Sequence, residues 1–144
     1  MAQGVTEAPY TREILRLAAS IPYLENFDTL DGASELRSAT CGSRIRMAVE
    51  LDWADRIVQL RQAVEACAYG QAPAALVGAH AIGRNAAEVG EALADLQSWL
   101  AGDVAVTTSW PGLEALEPVR SRRGRHGAVA LPFQALLAAI ERAK

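Results

Sequence analysis

The sequence predicts an α+β fold, a small antiparallel sheet packed on one face by about four to five helices. Three observations predict it. The stretch "RIRMAVEL" alternates apolar and polar side chains, as a half-buried strand does. A second apolar run, "RIVQLRQAVEA", follows after the short polar turn "DWAD", which makes the pair a hairpin. The rest of the chain is rich in alanine and carries apolar residues at helical spacing.

Taken in order, "YTREILRLAAS" places Ile14, Leu15, Leu17 and Ala18 on one side. Thr11 is its cap and Pro22 its end, so a helix of about 10 residues is expected. "PYLENFDTLDGAS" has no periodicity and reads as loop. "ELRSAT" is a candidate third strand. In the first strand of the hairpin Ile45, Met47, Val49 and Leu51 face the core, and Arg44, Arg46 and Glu50 face away. In the second, Val58, Leu60 and Val64 share a face that Gln62 interrupts. "APAALVGAHAI" is apolar nearly all round, a buried helix with Pro73 in its first turn and His80 in its core. "NAAEVGEALADLQSWLAG" runs from a cap at Asn85 to Gly102. "DVAVTTSWPGLEALEPV" reads as connector with one helical turn. The last helix, about "ALPFQALLAAIERA", buries Leu131, Phe133, Leu136, Leu137 and Ile140.

Composition narrows the function classes. A chain of 144 residues suits one domain with one core. With 51% hydrophobic and 22% charged residues it is globular rather than disordered. A net charge of −3 argues against wholesale nucleic-acid binding. No apolar run reaches the length of a membrane span, and "MAQGVTEAPYTREI" lacks the regions of a signal peptide. A cytoplasmic protein is expected, in which the two cysteines stay reduced.

Register brings those cysteines together. Pairing Leu51 with Val58 sets Val49 opposite Leu60 and Ile45 opposite Val64. Extended further, the same register sets Cys67 opposite Gly42, beside Cys41. Neighbouring side chains across strands lie within about 5–8 Å, close enough for two thiolates to bridge one metal. Cys67 also precedes the buried helix, whose dipole favours negative charge at that end, and on spacing alone it reads equally as a small buried hydrophobe under that helix.

These residues resemble a known family, the U-type iron–sulfur cluster assembly scaffolds (IscU, SufU and the N-terminal domain of NifU). "YTREILRLAASIP" resembles the family's opening helix, and "TCGSRIRMAVEL" the segment in which Cys-Gly-Asp enters a strand. "ADRIVQLRQAVEACAYGQAPAALVGAHAIGR" resembles the segment of the second cysteine, and "LEALEPVRSRRGRHGAVALPFQALLAAI" the C-terminal part. The resemblance runs from about Tyr10 to Ala143 and implies a single domain over 1–144 with a three-stranded antiparallel sheet, SufE/NifU-like. It implies a scaffold rather than an enzyme. Cys41 and Cys67 would bind a transient [2Fe–2S] cluster, iron or zinc and accept sulfur from a cysteine desulfurase, for delivery to iron–sulfur acceptor proteins.

The chain departs from the family at two positions. Ser43 stands where the family has Asp, and the third cysteine falls within "RHGA". Counting back from "LPF" puts Ala128 there; one gap puts Gly127 there, with His126 adjacent. His126 reads either as a substitute ligand or as a solvated neighbour of the basic cluster Arg120, Arg122, Arg123 and Arg125. That cluster suits an acidic partner or a phosphate. "LEPVR" matches the chaperone-binding segment of some family members only in type, so chaperone recognition is not expected. The alternative function is an adaptor or regulator of a desulfurase system that has lost the metal.

Overall fold

The computed structural model describes residues 10–26, 33–38, 42–102 and 110–144. Helix α1 (Arg12–Ala18) is followed by strands β1 (Ser34–Arg37), β2 (Arg44–Leu51) and β3 (Ile57–Glu65). Helices α2 (Ala68–His80) and α3 (Ala86–Leu100) come next, then 3₁₀ segments at Leu113–Ser121 and Arg123–Arg125, then α4 (His126–Ala143). The strands form one antiparallel sheet in the order β1-β2-β3. Helix α4 lies across β1 and β2, and α2 packs between α1 and α4.

Several elements follow from local chemistry as expected. The Ile14 N–H donates to Thr11 Oγ1 at 3.1 Å, which starts α1. Leu15, however, is 49% exposed, because the face that α1 turns to the core is that of Ile14, Leu17 and Ala18, three and four residues apart. At α3 the Glu88 N–H donates to Asn85 Oδ1 and the Asn85 N–H donates to Glu88 Oε1, a complete capping box. Helix α2 is buried along most of its length.

The expected hairpin register holds along the strands and fails at the turn. Ile45 pairs with Val64 and Val49 with Leu60, but a bulge between Glu50 and Leu51 pairs Leu51 with Ile57. One extra residue moves the core position from Val58, which is 52% exposed, to Ile57, which is fully buried. At the other end the ladder stops at Arg44 and Glu65, two pairs short of the expected Gly42–Cys67 pair. Gly42 leaves the strand with φ +71°, and Cys67 begins α2 instead of extending β3.

Other differences have physical reasons. Gln62 is no interruption. It is fully buried, and its Nε2 donates to Pro22 O at 3.0 Å and Ala74 O at 3.2 Å, tying the sheet to α2 and to the chain after α1. Pro73 lies inside α2, in its second turn, because the helix starts at Ala68. His80 is half-buried at the C-terminal end of α2 rather than in its core. The connector holds a nine-residue 3₁₀ helix with Leu113, Leu116 and Val119 buried, a spacing of three that suits this tighter helix. Helix α4 begins at His126, ahead of the expected start, and Leu137 is only half-buried. Trp110 is buried edge-on to Phe133 and donates its Nε1–H to Leu76 O at 3.0 Å. Trp99 is also buried, whereas Trp53 in the β2–β3 turn is 97% exposed. Among the described residues no helix is long and apolar enough to cross a membrane.

Candidate functional site

Three stretches of chain meet at the end of the sheet away from the β2–β3 turn. The first is the β1–β2 connection. The Gly42 N–H donates to Ser38 O at 3.2 Å and the Ser38 N–H to Ser43 O at 2.9 Å, which closes the connection on itself. Cys41 belongs to this connection in sequence and lies outside the described residues. Ser43, in the position where the resemblance implies Asp, is 3% exposed and so turns inward.

The second stretch is the start of α2. Cys67 is its N-cap, with φ −72° and ψ 175°, and its carbonyl accepts from the Gly70 and Gln71 N–H groups at 2.9 Å. Its thiol is free, half-buried against the core, and makes no capping hydrogen bond. The side-chain position at this N-cap is therefore held by a backbone already committed to the helix. Tyr69, early in the same helix, is buried edge-on to Tyr10 with ring centroids 4.8 Å apart, which sets the start of α1 beside the start of α2.

The third stretch is the start of α4. A Cβ placed on Gly70 would lie 3.5 Å from Ala128 O and 4.0 Å from Ala128 Cβ, so the first turns of α2 and α4 touch. Among the described residues a Cβ on Gly127 would meet only Ser38 Oγ, at 3.8 Å, so Gly127 faces the Ser38 side of the β1–β2 connection. Of the two positions where the resemblance implies a third cysteine, Ala128 is buried and Gly127 is exposed.

His126 is half-buried, and its Nε2 lies 3.0 Å from Val119 O and 3.1 Å from Arg120 O. Carbonyl oxygens only accept, so Nε2 carries the proton, and in the neutral ring Nδ1 keeps its lone pair. Metal-binding imidazoles are commonly oriented in this way, by a backbone carbonyl on the other nitrogen. Among the described residues no three His, Cys, Asp or Glu side chains gather closely enough to hold a metal ion. Arg44 forms an ion pair with Glu65 at the last rung of the β2–β3 ladder, and the Glu65 hydrogen bond strengthens the proton hold of the guanidinium.

The three-stranded antiparallel sheet with its helices is a fold shared with solved structures. The N-terminal part of a NifU-like protein from Brucella abortus superposes with a TM-score of 0.82 at 24% identity, over 92% of each chain. The fold is NifU-like. A protein from Fervidobacterium islandicum, described as an iron–sulfur cluster assembly scaffold for the SUF system, superposes with a TM-score of 0.79 at 19% identity, over 92% of this chain and 96% of that one. At these identities the NifU-like architecture is what is shared. No protein-family model and no curated protein sequence matches the chain.

Sequence reasoning missed Ser38, Gly70 and the two carbonyls on His126. Gly70 carried a signal, since a glycine in a helix of small residues marks a close approach. Ser38 and the carbonyls carried none, because their roles come from chain packing far apart in sequence.

Proposed function

We propose that the protein is an iron–sulfur cluster assembly scaffold in which Cys41 and Cys67 bind iron, a transient [2Fe–2S] cluster or zinc as cargo. The observation that carries this reading is the meeting of the β1–β2 connection, the Cys67 N-cap and the start of α4 at one end of a NifU-like fold. His126 joins as a third donor through Nδ1. Sulfur comes from a cysteine desulfurase. A thiolate of this chain attacks the outer sulfur of the donor's persulfide, the new S–S bond forms, and the donor cysteine leaves as thiolate. The cargo then passes to acceptor proteins, so the chain is a carrier in the cytoplasm and not an enzyme.

Anaerobic reconstitution with iron and sulfide tests this. The wild-type protein is expected to develop visible charge-transfer absorption, and Cys41→Ala and Cys67→Ala are each expected to abolish it. A fully coloured double variant would overturn the reading. The inward turn of Ser43 favours a second one, an adaptor that keeps the fold and binds a desulfurase without metal. That reading predicts no iron or acid-labile sulfide above background in protein purified without oxygen.

A further inference from the structure

The segment from Arg120 to His126 contains four arginines and no acidic residue, in a chain of net charge −3. It is built rather than loose. The Arg120 Nε–H donates to Trp99 O at 2.9 Å, and its guanidinium lies over the Trp99 ring at 5.1 Å. The Arg122 N–H donates to Val119 O at 2.8 Å and the Arg125 N–H to Arg122 O at 2.9 Å, while His126 grips the carbonyls of Val119 and Arg120. The turn is thus fastened to α3 on one side and to α4 on the other.

What it holds out is positive charge. Arg122, Arg123 and Arg125 are exposed and have no ion-pair partner among the described residues. Elsewhere Arg37, Arg44, Arg46, Arg56 and Arg61 each pair with a glutamate. Arg12 and Arg16 on α1 are exposed too, but Glu13 stands between them in sequence. The arginine turn leads directly into Gly127, which faces the β1–β2 connection.

We propose that this turn docks a carboxylate-rich segment of a partner protein that exchanges cargo at the neighbouring cysteine end. Guanidinium groups pair with carboxylates through parallel hydrogen bonds, and a turn already fixed in place loses little freedom on binding. A nucleic acid suits the turn less well. No aromatic side chain interleaves with the arginines to stack on bases. The docking stands on charge and geometry alone; only the identity of the exchanged cargo rests on the scaffold reading.

The probes are a labelled hexaglutamate peptide and a labelled oligodeoxythymidylate, titrated by fluorescence anisotropy at low and moderate salt. The wild-type protein is expected to bind hexaglutamate, more weakly as salt rises. The triple variant Arg122→Glu, Arg123→Glu, Arg125→Glu is expected to lose about tenfold or more in affinity. The double variant Arg12→Glu, Arg16→Glu is expected to lose less than about threefold, the scale of a single surface charge pair. Absence of wild-type binding, equal loss in both variants, or tighter binding of the oligonucleotide than of hexaglutamate would each overturn the proposal. Iron and sulfide reconstitution of the triple variant separates the two readings. A variant that colours fully but loses the peptide supports docking, and a wild type that never colours but binds the peptide removes only the scaffold.

Discussion

The two ends of the β2–β3 hairpin are built differently. At the turn end the polar groups are spent on one another. Asp52 Oδ1 accepts from the Ala54 and Arg56 N–H groups at 2.8 and 3.0 Å. The Arg56 guanidinium donates to Gly83 O and pairs with Glu88, and the Ile57 and Gly83 backbones bond to the chain around them. At the other end the ladder stops at Arg44 and Glu65, and beyond it lie a free thiol at a helix start, an exposed glycine and an arginine turn. Closure at one end secures the sheet. Openness at the other leaves, among the described residues, a thiol without a capping hydrogen bond and three arginines without an ion-pair partner.

The contrast can be broken from the closed end first. Ile57→Ala empties a fully buried position beside the bulge and is expected to cost about 3 kcal/mol, read by denaturant unfolding. Iron content per folded molecule should not change; if it fell in step with stability, the two ends would be one unit. The next effect is at the open end. Gly127→Cys places a third thiol opposite Ser38 and should raise metal affinity by about 10-fold or more, at least the scale of outer-shell partners. Competition with a chelator measures it, and unchanged affinity would mean that Gly127 does not face the site.

The smallest effect concerns pH. The Asn85 backbone N–H, and after it Arg56, hold the Glu88 carboxyl below its ordinary range. Because the folded carboxyl titrates below its unfolded counterpart, its contribution is complete above the ordinary carboxylate range. It disappears as pH falls through the depressed folded value. Thermal unfolding followed into acid should therefore flatten in Glu88→Gln, since glutamine keeps the capping box but does not titrate. An acid limb identical to that of the wild type would mean that Glu88 does not shape it.

The parts of the fold legible in the sequence are those whose burial is one-sided. Strand β2 and helix α3 show it, the first by alternation and the second by its cap. The bulge is invisible there because Ile57 and Val58 are both apolar, so either suits a period of two. The 3₁₀ helix escapes because its period is three rather than 3.6. At the site, register predicts a Gly42–Cys67 pair, but the ladder ends at Arg44 and Glu65 and Cys67 caps a helix instead, which periodicity in the strand could not show. The state of His126 is not readable, since it depends on carbonyls that a 3₁₀ helix delivers.

The three tryptophans turn this layout into something light can follow. Trp53 stands in water at the closed end, Trp110 is sealed in the core, and Trp99 lies under the Arg120 guanidinium that anchors the arginine turn. A collisional quencher reaches the first and is shielded from the second. An event at the arginine turn is felt by the third, so one unlabelled chain carries a reference and a reporter at opposite ends.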